Sequence, residues 1–266
     1  MKKIMLAVMA MFVTLAATAA NRTKDFTVNG TFNGISADNN IEVVYTVSPK
    51  AQVKVTAEEA SLPHVSVALN NGILTLSTKG EVKGKVVARV SGPALASIAV
   101  SGNAEFKTRD GINAEALTVK ASGNAEIDLA GVMCGRLTAQ SEGNSEVNLG
   151  DVVCDELAAT AHGNSSIDMS SASGTRLTVV SEGNSEAEID NAHFATAELT
   201  SNGNSTIEID GNAGIARLTS NGKSSIKARE LTVNSGSAAA NGVSSIVCKK
   251  GVYDVNVSLT GSVRQM

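Results

Sequence analysis

The sequence predicts an all-β protein: a single-stranded parallel β-helix, or solenoid, with about 20 residues per coil and an irregular β cap at its N-terminal end. Three observations support this fold. A glycine-centred motif recurs eight times, apolar residues alternate with period two on both sides of it, and only Ala or Ser stands two positions past the glycine. An antiparallel sandwich is the structural alternative, because sandwiches also contain strands at regular spacing.

The repeated motif has clear copies in SGNAEI, SEGNSEV, AHGNSSI and SNGNSTI. Its glycines follow one another at spacings of 19 to 21 residues: Gly102, Gly123, Gly143, Gly163, Gly183, Gly203, Gly222 and Gly242. Six of them are followed by asparagine: Asn103, Asn124, Asn144, Asn164, Asn184 and Asn204. We expect these asparagines to take the left-handed conformation of a sharp corner and to form a hydrogen-bonded Asn ladder.

Apolar alternation on both sides of the motif indicates strands with one buried face. Four and six positions after the glycine the residues are mostly aliphatic, as in Ile127 and Leu129, with a polar residue between them. Before the glycine the alternation continues, as in Leu137 and Ala139. Every copy has the same residue types in the same order, which favours parallel strands stacked about 4.8 Å apart over a series of hairpins.

Residues 1–20 are typical of a secretory signal peptide. Lys2 and Lys3 precede an apolar run from Ile4 to Leu15, and small residues at Ala17 and Ala19 form a cleavage site. The apolar run is too short to span a bilayer. We therefore expect export to the periplasm, the outer cell surface or the extracellular space, with no transmembrane segment after removal of the signal.

The rest of the chain divides into three predicted parts. Residues 21–95 carry strand signals without the 20-residue register, such as IEVVYTV at 41–47 and the turn at 70–72, and are predicted to form irregular coils and a cap. Residues 96–250 are the regular β-helix repeats. Residues 251–266 are predicted to form a C-terminal cap strand, because terminal units of solenoids are usually atypical.

Several segments together resemble a known family. These are the segment from Phe32 to Ile35, the IEVVYTV strand, the NNGILTLS turn and the run of S-x-G-N/S repeats. Their ordered combination resembles the head GIN domain family, described as putative autotransporter adhesins of Bacteroidetes-type bacteria. The resemblance covers nearly all of the mature chain and implies a secreted β-helical envelope protein with an adhesive role.

Acidic side chains recur at fixed positions of the repeat, so stacking is expected to place them in columns. The candidate ligand-binding residues lie three past the glycine, five past it and just before it: Glu126, Glu146, Glu186, Asp128, Glu142, His162 and Glu182. Three interpretations are open: a solvated surface, weak calcium binding through carboxylate oxygens, or a transition-metal or catalytic site at Glu142, His162 and Glu182. The sequence predicts no cofactor and identifies no metal.

The cysteines allow two interpretations. Cys134 and Cys154 occupy the same place in adjacent coils, so either a disulfide or a pair of buried thiols is open. Cys248 falls in an apolar column and is expected in the core.

Catalytic motifs are missing from the sequence. Its three histidines are scattered, there is no G-x-S-x-G motif, and the formal net charge of −4 makes nucleic acid an unexpected partner. We therefore predict a non-catalytic, adhesin-like protein of the cell envelope that presents a stacked polar face to a glycan or protein ligand. The alternatives are a polysaccharide-processing β-helix enzyme and a structural or assembly component of the envelope.

Overall fold

A computed structural model describes residues 21–249 and 253–266 of the chain, so the predicted signal peptide lies outside the described residues. The predicted fold class is confirmed: the molecule is a β-solenoid whose coils repeat about every 20 residues. One short 3-10 helix, Leu62–His64, interrupts the strands. Within the two described ranges no helix is long and apolar enough to cross a membrane.

In residues 21–249 and 253–266, twenty-three strands make up a single hydrogen-bonded sheet that coils around the core. In the N-terminal part they are β1 (Asn21–Phe26), β2 (Gly34–Asn39), β3 (Ile41–Val47), β4 (Gln52–Glu58), β5 (Val65–Asn70), β6 (Ile73–Thr78), β7 (Val86–Gly92), β8 (Ser97–Gly102) and β9 (Glu105–Thr108). The remaining strands are β10 (Ile112–Gly123), β11 (Glu126–Asp128), β12 (Gly131–Gly143), β13 (Glu146–Asn148), β14 (Asp151–Gly163), β15 (Ser166–Met169), β16 (Ser171–Gly183), β17 (Glu186–Gly203), β18 (Thr206–Gly222), β19 (Ser225–Ala228), β20 (Leu231–Gly242), β21 (Ser245–Cys248), β22 (Tyr253–Leu259) and β23 (Ser262–Gln265).

Each regular coil consists of a long strand that ends at the motif glycine and a short strand that follows the corner. Pairing between coils is parallel and in register, so that Leu137 of β12 lies beside Leu117 of β10 and Leu157 of β14. Identical residue types therefore stack in columns, as the repeat predicts. The alternation of buried and exposed residues is interrupted in the middle of the long strand, where Gly135 and Arg136 are both exposed. The period-two pattern did not predict this interruption.

The corner after each long strand is formed by glycine and not by asparagine. Gly163 has a φ of +95° and the other motif glycines also have positive φ, whereas Asn164 does not. The backbone N–H of Asn164 donates to the Gly143 carbonyl of the preceding coil at 2.7 Å. Our expectation that Asn adopts the left-handed conformation was wrong, because a Cβ at Gly163 would lie 2.9 Å from that same carbonyl oxygen.

The core consists of stacked aliphatic columns with a serine column at the corner. Ile127 and Leu129 are fully buried, as predicted from their spacing. The small residues two positions past each glycine are buried too, and their hydroxyls are hydrogen-bonded: Ser165 Oγ donates to the Ser141 carbonyl oxygen of the preceding coil at 2.8 Å. These bonds satisfy polar groups that would otherwise destabilise the narrow core.

Coils at the N-terminal end do not follow chain order. The β2–β3 coil lies between the β6–β7 coil and the β8–β9 coil, because β2 pairs with both β6 and β8 and β3 pairs with both β7 and β9. Three antiparallel strands complete this end: β5 pairs with β6, β4 with β7, and β1 with β4. The predicted turn at 70–72 joins β5 to β6, with positive φ at Asn71 and Gly72.

At the C-terminal end, β22 pairs with β20 and β23 pairs with β21. Val255 and Val257 continue the inward columns of Ala238 and Ala240, yet they are 48% and 44% exposed. The last described coil therefore leaves apolar side chains exposed at the C-terminal end of these columns.

Candidate functional site

The outward side chains of the short strands form straight columns on one face of the solenoid. Three predicted binding residues, Glu126, Glu146 and Glu186, lie in the first of these columns. Ser166 separates Glu146 from Glu186, and Glu105 precedes Glu126. Because adjacent strands lie about 4.8 Å apart, Glu126 and Glu146 are direct neighbours and Glu186 is two strands further along.

The second column on this face contains Asp128, the fourth predicted residue. From the N-terminal end it runs through Lys107, Asp128, Asn148, Asp168, Glu188, Glu208 and Lys227. The lysines at its two ends form ion pairs: Lys107 Nζ lies 3.5 Å from Glu126 Oε1, and Lys227 Nζ lies 2.8 Å from Glu208 Oε2. Negative charge is therefore neutralised at the ends of the column and concentrated in its middle.

A shallow hollow of about 510 Å³ lies in that middle region. It forms because the next positions along the strands carry only small residues, Ala130, Gly150 and Ser170, between taller polar side chains. The polar residues around it, called the acidic hollow below, are Asp128, Asn148, Asp168, Glu188 and Asp190. The sequence predicted the columns but not the hollow. The depth of the hollow depends on small residues, which have no recognisable functional signature in the sequence.

Asp168 has the most perturbed carboxyl group of the acidic hollow. Burial, followed by the negative charges of Glu188, Glu146 and Glu186, raises the pKa of Asp168 from its ordinary value of 3.8 to about 6. The Ser166 hydroxyl acts in the opposite direction. Because the folded state holds this proton more tightly than the unfolded chain, ionisation of Asp168 opposes folding.

We expect Asp168→Asn to stabilise the protein at neutral pH but not in acid. Below about pH 4 Asp168 is protonated in both the folded and the unfolded state, whereas above about pH 6 the wild-type protein has to ionise a carboxyl that its fold disfavours. Urea unfolding of both proteins between about pH 4 and pH 7 measures the effect, with Asp110→Asn in an exposed turn as the charge-matched control. The prediction is contradicted if the free energies of unfolding of wild type and Asp168→Asn differ by the same amount at every pH.

The remaining predicted residues, Glu142, His162 and Glu182, lie on the long strands before the corner and not on the face that contains the acidic hollow. They are in register on neighbouring strands, as the repeat predicts. The two carboxylates in this row, however, contact residues outside the set. Lys120 Nζ lies 3.0 Å from Glu142 Oε1, and Asn202 Nδ2 donates to Glu182 Oε1 at 3.2 Å. The structure thus separates the seven candidates into two groups on either side of the corner.

The corner asparagines are hydrogen-bonded from coil to coil. Each side-chain amide donates to the side-chain carbonyl oxygen of the asparagine in the preceding coil, at 2.9–3.2 Å: Asn124 to Asn103, Asn144 to Asn124, Asn164 to Asn144, Asn184 to Asn164 and Asn204 to Asn184. Asn103 in turn donates to Asn40 at 3.0 Å. Asn40 was missed because it lies in the segment without the 20-residue register.

A second row of amides extends the column of Glu182 and was not predicted. Asn221 Nδ2 donates to Asn202 Oδ1 at 2.8 Å, and Asn241 Nδ2 donates to Asn221 Oδ1 at 2.9 Å. The Ser258 hydroxyl ends the row by donating to Asn241 Oδ1 at 2.7 Å. The signal for it was present in the sequence as an Asn before each of the last motif glycines.

The described residues contain neither a preformed metal site nor an activated thiol. In residues 21–249 and 253–266 no group of three or more His, Cys, Asp or Glu side chains is arranged to hold a metal ion. All three cysteines are free thiols, although Cys134 and Cys154 are direct neighbours on paired strands. Burial, followed by the nearby Cys134 and Asp155 groups, raises the pKa of the Cys154 thiol to about 12, so its reactive thiolate is disfavoured.

Solved structures of other proteins share this architecture. A putative adhesin from Parabacteroides merdae superposes with a TM-score of 0.75 at 19% identity, covering 94% of this chain and 97% of that one. A protein from Parabacteroides distasonis described as a putative lipid binding protein gives a TM-score of 0.76 at 14% identity, covering 94% and 98%. A putative adhesin from the same organism gives 0.71 at 18% identity, with the same coverage. At these identities the likeness shows the fold alone.

Sequence comparison supports the resemblance noted above. No curated protein matches the sequence. A family profile described as "putative auto-transporter adhesin, head GIN domain" matches residues 31–190 and 151–266, which together span nearly all the described residues. The chain therefore belongs to the putative auto-transporter adhesin, head GIN domain family.

Proposed function

We propose that this chain is an exported, non-catalytic adhesin of the cell envelope that holds a ligand on the outward polar face of its stacked strands. One observation carries the proposal: polar side chains of the same kind recur in straight columns at the spacing of one coil. Such a face offers the same contact several times, so an extended partner engages it at several points at once. Membership of an adhesin family supports the same role and favours a non-enzymatic protein.

The acidic hollow and its neighbouring column are the proposed ligand-binding surface. Glu126, Glu146, Glu186 and Asp128 lie on this face, whereas Glu142, His162 and Glu182 form a separate polar row beyond the corner. The uncompensated charge at the centre of the face favours a ligand with cationic groups, or a glycan bridged through calcium ions, since hard cations take carboxylate oxygens. The partner is accordingly a glycan or protein outside the cell membrane.

Binding by the mature chain from Asn21 onward tests this function. The protein is applied to glycan and matrix-protein arrays in the presence of calcium and again in the presence of a chelator. We expect a ligand whose binding is weakened by the triple variant Asp128→Asn, Asp168→Asn, Glu188→Gln. The control is Glu115→Gln, Asp155→Asn, Glu198→Gln, which removes the same charge from exposed positions off this face.

The outcomes separate the alternatives. Binding that requires calcium and fails only in the triple variant of Asp128, Asp168 and Glu188 supports a calcium-bridged site. Binding that ignores calcium but fails only in that variant supports direct recognition of a cationic ligand. Equal binding by both variants would mean that the binding site lies outside the acidic hollow. A lack of binding to any arrayed ligand contradicts the adhesin proposal.

A further inference from the structure

A second concave surface lies on the same face near the N-terminal end, across strands β4, β7 and β3. This hollow has a volume of about 720 Å³, larger than that of the acidic hollow. Four cationic side chains line it, and the surface they form is called the basic groove below: Lys54, Lys85, Arg89 and Arg109. Valines at 44 and 87 form part of its floor.

Strand pairing brings these cations together from distant parts of the chain. Lys54 of β4 lies directly opposite Arg89 of β7 in an antiparallel pair, and both side chains are exposed on the outward face. Two like charges directly opposite each other destabilise a pair of strands. The arrangement therefore opposes folding slightly unless an anion lies between the two side chains.

The cations of the basic groove are poorly neutralised by the protein itself. Lys85 is the best paired, with its Nζ 2.8 Å from Glu42 Oε2. The ion pair of Lys54 with Asp25 is long, at 3.9 Å, and Asp25 is 74% exposed. Throughout the part of the chain that the structure describes, neither Arg89 nor Arg109 forms a salt bridge or side-chain hydrogen bond. Two guanidinium groups are thus free to bind an oxyanion in bidentate fashion.

We propose that the basic groove binds an acidic glycan, meaning a sugar chain that carries carboxylate or sulfate groups. The inference rests on the proposed adhesin function and adds to the acidic hollow a second site, whose ligand is anionic. Thr46, Ser91 and Gln52 lie among the cations and provide hydroxyl and amide groups that match sugar hydroxyls. No aromatic side chain lines the groove, so recognition depends on the charges of the sugar and not on stacking.

The rest of the molecule limits where such a ligand binds. Beyond Lys107 the same face becomes acidic through Glu126, Asp128 and Asp168, and these carboxylates repel an anionic chain. With a formal net charge of −4 for the whole chain, unspecific attraction of polyanions is not expected. The footprint of the glycan is therefore confined to the N-terminal end, and a concave groove suits a chain better than a flat membrane surface.

Calorimetric titration of the mature protein with a heparin oligosaccharide and with an oligogalacturonate tests the proposal. We expect binding by the wild type that weakens with added salt, because salt screens exposed charges. The double variant Arg89→Gln, Arg109→Gln is expected to bind at least about tenfold more weakly, since the loss of even one charge-assisted contact is worth about a factor of ten. Thermal unfolding of this variant is expected at the wild-type temperature or slightly above it, because both arginines are exposed and unpaired and Arg89→Gln removes the like charge opposite Lys54.

The matched control is Arg176→Gln, Arg217→Gln, which removes two exposed arginines outside the groove. Unchanged binding by the control with loss in the groove variant supports the proposal. An equal loss of affinity in both variants would indicate unspecific charge attraction and would overturn the proposal. A lack of binding to both oligosaccharides would overturn it as well. Binding to phosphatidylglycerol vesicles without binding to either oligosaccharide would assign the groove to a lipid head group instead.

Failure of this inference is distinguishable from failure of the proposed function. If an arrayed ligand binds the groove variant and the wild type equally tightly, the adhesin function is retained and only the proposal for the basic groove is rejected. An array without any bound ligand contradicts both.

Discussion

Replacing Phe106 with alanine is expected to lower the free energy of unfolding by about 3–5 kcal/mol. The Phe106 side chain is fully buried and stacks on Tyr45, with ring centroids 6.1 Å apart, and Tyr45 in turn contacts Phe32 edge-on at 6.5 Å. Strand β9, which carries Phe106, pairs with β3 on one side and β11 on the other. The aromatic cluster therefore joins the out-of-order N-terminal coils to the regular repeats.

Equilibrium denaturation measures this loss, and Phe106→Leu is the control. Leucine keeps most of the buried volume, so we expect it to cost less than about 1.5 kcal/mol. Hydrogen exchange of Phe106→Ala should show faster opening from β1 to β9 than in the later coils, because coils of a solenoid contact only their neighbours. A uniform increase in exchange along the whole chain would contradict the joining role of this residue.

Gly174→Ala is the second substitution expected to have a large effect, with a loss of about 3 kcal/mol or more. A Cβ at this position would lie 1.7 Å from the Cys154 carbonyl oxygen and 3.2 Å from the ring of Phe194. Neither neighbour can move away easily, since the contact at Cys154 is a backbone carbonyl oxygen and the Phe194 side chain is buried. The effect arises from close approach between coils, because no positive φ distinguishes Gly174.

Gly111→Ala is the matched control for this prediction. The nearest atom to a Cβ there is 3.7 Å away, an ordinary contact, and the glycine has no positive φ. Alanine also restricts the unfolded chain, so Gly111→Ala should be neutral or stabilising by up to about 1 kcal/mol. Denaturation midpoints of the two variants measure the contrast. Equal midpoints would mean that the coil boundary at Gly174 shifts to accept a methyl group.

Sequence patterns were sufficient where the repeats are regular. Ile127 and Leu129 could be assigned to the core because stacked coils place like residues beside like residues, and period two then fixes which side chains point inward. The same logic placed Glu126 beside Glu146 and Glu142 beside His162. Only local alternation and a constant repeat length were needed.

Irregular parts of the molecule depend on contacts that no local pattern encodes. The alternation at 41–47 indicates a strand, but nothing in it reveals that β3 pairs with both β7 and β9. The basic groove was missed for the same reason, since Lys54 and Arg89 meet only through antiparallel pairing of β4 with β7. At the corner, the error over Asn arose because the glycine before it already provides the left-handed residue.

Stacked parallel strands give this protein an unusual response to mechanical load. The interstrand hydrogen bonds run along the solenoid axis, so tension between its two ends pulls on one coil boundary at a time. Among the described strands β23 pairs with β21 alone, so we expect β23 to detach first under a pull on Met266. Each coil that peels away replaces about 4.8 Å of stacked length with about 70 Å of extended chain. A solenoid built in this way lengthens in steps under tension, while the coils that have not yet detached stay folded.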